Sequence, residues 1–405
     1  MRIMQINTSN QRGGAARIAF TIHEYLNKTF SYQSIFAYGR NGRSKIKYCY
    51  KFTLDHEIYF HAFLARVLGL EGSGSYLSTV NLLKYIDVEN PDLVHLHNIH
   101  GYCMNFEMLI DYLKEKDIPV VWTFHDCWPI TGSCAYFLDC NKYLSGCGNC
   151  PYKQNYPKNY LDASDKMLRK KMQIFASGWS PIIVTPSYWL ADIVKDSYLK
   201  NHRVEVIPNG IDVRIFKPVS KDEAKKKIGI PIHKRVILYV AADLKDHRKG
   251  AKYFFNAMRE IGIRNDLVVV TVGEKNKVKL YESIDLREYG FITDKNYLST
   301  IYSAADVFCI TSLDENFCLT ILEAMACGTP IVAFGVGGIP EQVTQDCGII
   351  VVPKDSIGLA KAIKDLLIDK EKRDILSLNC RDRVLNNYTR EIMQKKYLKL
   401  YNELF

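Results

Sequence analysis

The sequence predicts an α/β protein made of two doubly wound domains, and three observations carry that prediction. The chain has 405 residues, more than one ordinary hydrophobic core organises, so two domains of about 200 residues each are expected. Apolar runs of strand length recur along it, separated by stretches long enough for helices. Runs that are apolar at every position fit parallel strands buried on both faces, with helices packed against them. Finally, Pro208-Asn209-Gly210, followed by Phe216-Lys217-Pro218, marks a break just before a new basic helix.

In chain order, Ile3-Met4-Gln5-Ile6-Asn7 is the first strand. A polar loop then leads to Gly13-Gly14 and a helix over 15–27. Glycines permit close backbone approach and a helix N-terminus favours an anion, although an ordinary turn fits the same residues. The pattern is not the GxGxxG of dinucleotide enzymes, which disfavours a nicotinamide dehydrogenase. Leu93–Leu96, Val120–Thr123 and Ile182–Val184 are further buried strands. His125 follows the second of these at its carboxyl end, where side chains face a ligand crevice. The competing reading is a packed or surface histidine. Beyond the break come a helix over 221–228, the strand Val236–Val240, a helix over 251–261, and strands at Leu267–Val272 and Val307–Ile310. Arg248-Lys249-Gly250 precedes the helix over 251–261. A pair of exposed helix-start cations is the plainer reading; helix starts disfavour cations, which favours a bound anion. Gly290-Phe291 follows a short strand, and a Lys-, Tyr- and Leu-rich helix over 389–404 ends the chain. The expected domains are 1–215 and 216–385, with 386–405 as a terminal helical segment.

The segment from Asp314 to Pro330 places Glu315 in a loop and Glu323 inside the helix that follows. Asn316 and Thr320 are candidate caps, and Gly328-Thr329-Pro330 ends the helix before the strand Ile331–Phe334. At ~1.5 Å per helical residue the two carboxylates lie roughly 10–12 Å apart. That is about the span from the ribose of a sugar nucleotide to its sugar ring, and carboxylates accept hydrogen bonds from vicinal hydroxyls. A solvated helix start with a capping acid is the plainer reading.

Cysteine is the second distinctive feature. Cys134, Cys140, Cys147 and Cys150 have the spacing C-x5-C-x6-C-x2-C, with turn residues Gly146, Gly148 and Pro151 among them. Four thiolates ending in Cys-x-x-Cys suit a structural, tetrahedral zinc, and reduced, partly buried thiols are the alternative. Iron–sulfur chemistry is less favoured, and disulfides do not fit a reducing cytoplasm.

Composition narrows the function. A hydrophobic content of 47% with 24% charged residues is that of a soluble globular chain. The start has no apolar core of the signal-peptide kind, and no apolar run reaches the ~18 residues of a membrane span, so a cytoplasmic protein is expected. A net charge of +10 favours anionic partners. Nucleic acid is not among those expected, because the basic residues are scattered and no zinc-finger, homeodomain or RRM pattern occurs.

Taken in order, Gly13-Gly14-Ala15-Ala16-Arg17, Thr123-Phe124-His125-Asp126, Val206 to Asp212, Arg248-Lys249-Gly250, Glu315 to Phe334 and Gly337-Gly338-Ile339-Pro340-Glu341 resemble the retaining glycosyltransferases of family 4, the group 1 transferases. That family has the GT-B fold, two Rossmann-like domains facing each other across a cleft, with the C-terminal helix returning to the first domain. A subgroup of it carries a similar Cys-rich insertion after Thr-x-His-Asp, here 127–151. The resemblance implies a sugar moved from a nucleotide diphosphate donor, a UDP- or GDP-sugar, to a saccharide or lipid-diphosphate-linked acceptor. The expected setting is the synthesis of capsule, exopolysaccharide or O-antigen, with peripheral association at the inner membrane. It places Gly13 and Gly14 at the donor diphosphate or the acceptor, and His125 near the sugar hydroxyls with Asp126 orienting it. Lys249 matches the lysine that neutralises the leaving diphosphate. The family's upstream arginine falls at Asp243, so Arg248 is the substitute. Glu315 approaches the transferred sugar and Glu323 binds the ribose. The amides of Phe317, Cys318 and Leu319 meet the donor, although the family often has glycine where Cys318 stands. Phe291 receives the base through its backbone. No cofactor or divalent metal is expected at the reaction centre if Lys249, Arg248 and helix N-termini stabilise the diphosphate. The alternatives are a GT-B sugar-nucleotide epimerase and a non-catalytic sugar-nucleotide-binding protein.

Overall fold

A computed structural model describes residues 1–10, 13–42, 44–262, 264–274 and 284–405. It divides into two compact units, Met1–Ile207 with Gln394–Phe405, and Pro208–Met393.

The first unit holds a seven-stranded sheet. Its strands are β1 (Arg2–Ser9), β2 (Gln33–Arg40), β3 (Cys49–Lys51), β4 (Leu93–Leu96), β5 (Val120–Thr123), β6 (Ile182–Thr185) and β7 (Val204–Val206). The order is β3-β2-β1-β4-β5-β6-β7, with every pairing parallel. β4 and β5 are buried at every position, which is why both read as unbroken apolar or neutral runs. The last helix, Arg390–Asn402, contributes Tyr397 and Tyr401 to this unit. The Tyr397 hydroxyl pairs with Thr123 Oγ1 at 2.9 Å, and the Tyr401 hydroxyl with His95 Nδ1 at 2.7 Å.

The second unit holds six strands. They are β8 (Arg235–Val240), β9 (Leu267–Val272), β10 (Asp285–Glu288), β11 (Val307–Ile310), β12 (Ile331–Phe334) and β13 (Gly348–Val351). Their order is β10-β9-β8-β11-β12-β13, again all parallel. Alternate residues of β8 enter opposite cores. Val236 and Leu238 pack with Ile321 and Met325 of the helix Leu319–Ala326, whereas Ile237 and Tyr239 pack with Phe254 and Met258 of the helix Ala251–Ile261.

In both sheets the strand order reverses once, between β1 and β4 and between β8 and β11. Chains leaving neighbouring strands at such a switch point diverge and leave a crevice beyond the carboxyl ends, where ligands of open α/β sheets bind. Among the described residues no helix is long and apolar enough to cross a membrane.

Candidate active site

The switch point of the second unit gathers the charged residues that the sequence keeps far apart. β8 leads into a one-turn helix, His247–Lys249, capped by Asp246, whose side chain accepts from Arg248 N at 2.9 Å. Gly250 follows with φ +65°, and a Cβ there would lie 1.9 Å from Thr311 O, just past β11. That close approach brings the two loops together. Lys249 O accepts from the Tyr239 hydroxyl at 2.7 Å and from Thr311 Oγ1 at 3.2 Å, and Leu313 N donates to Arg248 O at 2.7 Å. With the backbone pinned, both side chains reach Glu315. Lys249 Nζ and Arg248 Nη1 donate to Glu315 Oε1, the latter at 3.2 Å, and Ser312 Oγ donates to the same oxygen at 3.1 Å. Three donors on Oε1 leave acceptor capacity at Oε2.

Glu315 is buried, which by itself would raise its pKa, but Lys249 and Arg248 outweigh burial and hold the carboxyl down to about 2. Gly337, at φ +55°, lies against Glu315, where a Cβ would come within 1.9 Å of Glu315 O. Gly338 N also donates to Glu315 O at 3.0 Å. The Gly-Gly pair after β12 therefore seats the glutamate.

Glu323 lies inside the helix Leu319–Ala326 and is 2% exposed. Its Oε2 accepts from the buried Tyr302 hydroxyl at 3.0 Å, a partner no sequence motif announces. Phe317 packs edge-on against Tyr388, and Leu319 opens the helix. Two expectations need correction. Cys318 was expected to offer its amide to a donor, but its N–H donates to Gln342 Oε1 at 2.9 Å while Gln342 Nε2 donates back to Cys318 O at 3.0 Å. Nor do Asn316 and Thr320 cap the helix: Cys318 is the N-cap residue, with no side-chain cap bond. Phe291 is 73% exposed, and Gly290 O accepts from Gly273 N at 2.9 Å. Asp243 closes a local turn, its Oδ1 accepting from Lys245 N at 2.7 Å, which leaves Arg248 as the arginine of the cluster.

In the first unit, Gly13, at φ +95°, precedes the helix Gly14–Leu26 and accepts from Arg17 N at 3.1 Å. His125 follows β5 and is partly buried. Burial, only partly offset by Asp126, lowers its pKa to about 4, so the ring is neutral near pH 7. Asp126 does not orient it. Asp126 Oδ2 accepts from His100 Nε2 at 2.9 Å, and Oδ1 accepts from Trp128 N at 3.0 Å. Burial disfavours both charged forms, yet this pairing keeps the His100 pKa above and the Asp126 pKa below their ordinary values. The neighbour of His125 is instead His97, whose Nδ1 lies 3.0 Å from His125 Nε2.

Cys134, Cys140, Cys147 and Cys150 line one cavity together with Thr131, Phe137 and Lys142. Burial pushes the Cys134 thiol up to about 12 and those of Cys147 and Cys150 upward. Four thiols on one cavity have the donor chemistry of a zinc site. As the loop stands, however, no group of three or more His, Cys, Asp or Glu among the described residues is arranged to hold a metal ion. The coordination sphere expected from the spacing is therefore not formed in this arrangement.

Two family models match the chain. One described as Glycosyltransferase Family 4 covers residues 12–214, and one described as Glycosyl transferases group 1 covers 220–383. The chain is 25% identical over 385 residues, 90% of each chain, to the putative colanic acid biosynthesis glycosyl transferase WcaC of Escherichia coli (strain K12). It is 26% identical over 237 residues to the UDP-Gal:alpha-D-GlcNAc-diphosphoundecaprenol alpha-1,3-galactosyltransferase of Escherichia coli, covering 56% of this chain and 61% of that one. Among solved structures, a sucrose-phosphate synthase from Thermosynechococcus elongatus aligns with TM-score 0.72 at 19% identity, over 100% of this chain and 99% of that one. HepE from Anabaena, in complex with UDP and glucose, aligns with TM-score 0.69 at 16% identity over 100% of both chains. Those two likenesses establish the fold, which is GT-B. With one model spanning half its length and the second most of the rest, the chain belongs to glycosyltransferase family 4, the group 1 glycosyl transferases.

Proposed function

We propose that this glycosyltransferase moves a sugar, with retention of anomeric configuration, from a UDP- or GDP-sugar to a saccharide or lipid-diphosphate-linked acceptor in cell-surface polysaccharide synthesis. The observation that carries the proposal is the convergence of Arg248, Lys249 and Glu315 at the carboxyl ends of β8 and β11. Two cations beside a carboxylate suit a ligand with a diphosphate at one end and hydroxyls at the other. The polysaccharide setting is supported by the relative in colanic acid biosynthesis, and a lipid-linked acceptor by the diphosphoundecaprenol galactosyltransferase. HepE with UDP and with UDP-glucose supports a uridine donor. If the acceptor is lipid-linked, the protein works at the inner face of a membrane.

In this reading the bond from the anomeric carbon to the diphosphate oxygen breaks, and the acceptor hydroxyl oxygen bonds that carbon from the same face. The acceptor's proton passes to the departing phosphate oxygen. Lys249 and Arg248 stabilise the negative charge that develops on the leaving group, a kind of contact typically worth ~2.7–4 kcal/mol of barrier. Glu315 accepts from a hydroxyl of the transferred sugar, Glu323 serves the ribose, and Gly13 and Gly14 lie at the donor diphosphate or acceptor. Phe317 and Leu319 offer amides to the donor, and Phe291 takes the base through its backbone. Zinc is proposed as a structural ligand of the four cysteines. It is supported by their sharing one cavity, and it requires the loop to rearrange into a metal-holding geometry.

A thermal-shift screen of UDP-, GDP- and ADP-sugars tests the donor class. A ligand at 100 times its Kd stabilises the fold by about 2.7 kcal/mol. A matching donor should raise Tm in the wild type and raise it less in Lys249→Ala. Stabilisation by none of the three would reject the proposal.

A further inference from the structure

Behind the partly buried His125 stands the buried His97, and behind that Gln5 in the middle of β1, all three in the first unit. His97 Nε2 lies 2.9 Å from the Gln5 amide, and His97 Nδ1 lies 3.0 Å from His125 Nε2. Both histidines have pKa values lowered by burial, so both rings are neutral and each carries one N–H. Which nitrogen carries it follows from the far end of the chain of contacts.

The Gln5 amide has two further neighbours on the helix Gly14–Leu26. The amide atom that faces His97 is also 3.0 Å from Ala19 O, and the other amide atom is 3.1 Å from His23 N. A carbonyl oxygen can only accept and a backbone N–H can only donate. The atom facing Ala19 and His97 is therefore the amide nitrogen. It donates to His97 Nε2, which must be the bare nitrogen of that ring. The His97 proton then sits on Nδ1 and is donated to His125 Nε2. His125 in turn must carry its proton on Nδ1.

We propose that Gln5 and His97 are positioning residues that hold His125 in the tautomer protonated at Nδ1, so that it meets a bound sugar as a hydrogen-bond donor and not as a base. The claim about the sugar rests on the reading of His125 as a site residue. The tautomer follows from the contacts of the Gln5 amide and of two neutral rings. It explains why a polar residue occupies the centre of a buried strand: Gln5 is 0% exposed, and its amide meets His97, Ala19, His23 and, at 3.4 Å, Ser34 Oγ.

Nitrogen-15 imidazole correlation spectra of the wild-type protein, labelled at its ten histidines, read the tautomer directly. The two rings are assigned by the signals lost in His97→Asn and His125→Asn. The expected result is a proton on Nδ1 in both His97 and His125. A proton on Nε2 of His125 overturns the relay. The second arm is Gln5→Met, which removes the donor to His97 Nε2. It should mix the His125 tautomers and lower kcat about 10-fold, the scale of one hydrogen bond, with donor KM little changed. A mixed tautomer with unchanged kcat overturns the positioning role. If the wild type transfers no sugar, the transferase reading fails and the spectra still decide the tautomer.

Discussion

Lys249→Ala removes one of three donors from Glu315 Oε1 and one of two cations from the cluster. Two consequences can be sized. First, a lost electrostatic contact to charge developing on a leaving group costs ~2.7–4 kcal/mol of barrier, so kcat should fall roughly 100- to 1000-fold. Because that charge develops in the transition state, kcat should fall further than donor KM rises. Second, Lys249 is the main group opposing burial at Glu315, whose carboxyl is held to about 2. With Arg248 and Ser312 alone remaining, its pKa must rise, and full return to the ordinary value would forfeit about 3 kcal/mol of stabilisation of the carboxylate. The assay is the initial rate of nucleotide diphosphate release at saturating donor, with Tm measured alongside to confirm a folded variant. Lys249→Arg keeps the charge and should recover part of the rate. Folded Lys249→Ala protein within about 3-fold of wild-type kcat would refute the assignment, because it lies well outside the range for such a contact.

Glu323→Gln keeps an acceptor for the Tyr302 hydroxyl, so it should weaken binding of free nucleotide diphosphate with little change in Tm. Glu315→Gln should spare that binding and lower transfer; equal loss of binding in both would reject the division of labour. Glu315 also sets a pH dependence. Its folded pKa, about 2, is below the ordinary 4.5, so its stabilisation is present above about pH 4.5 and is lost as pH falls towards 2. Urea unfolding across that window should show a shallower acid loss in Glu315→Gln, and identical pH profiles would contradict the pairing. Metal analysis of protein purified without chelator should give about one zinc per chain, with acceptor use impaired more than nucleotide binding on its removal. Metal-free protein with four titratable thiols and full activity would leave the cysteines as ordinary packing.

Much of the fold could be read from sequence because β4, β5, β8, β9, β11 and β12 are buried on both faces, which leaves unbroken apolar runs. The edge strand β3 (CYK) shows no such signal, since a half-exposed edge tolerates polar residues, and β10 (DLRE) is marked only by the Gly290-Phe291 that follows it. Within the site, Glu315 in a loop and Glu323 in a helix were legible from the Gly-Thr-Pro stop and the strand that follows. The ion pairs of Glu315 with Arg248 and Lys249 were not, because a crossover past β9 and β10 separates them in sequence while the strand order makes β8 and β11 neighbours. Gln342 on the Cys318 amide, Tyr302 on Glu323, and Gln5 behind His97 are likewise tertiary adjacencies with no local pattern. Asp126 sits next to His125 in sequence but bonds His100 and Trp128, so adjacency along the chain was a poor guide to partnership.

If the Arg248–Lys249–Glu315 cluster catalyses sugar transfer from a nucleotide diphosphate donor, the products formed from that donor reveal it. The most direct test is to incubate wild type and Lys249→Ala with the donor that stabilises the protein and follow its products by proton NMR. The wild type should release nucleotide diphosphate, with the freed or transferred sugar first appearing in the donor's own anomeric configuration, and the variant should lose nearly all of both. Epimerised donor, an inverted product, or donor bound without turnover by the wild type would contradict this expectation.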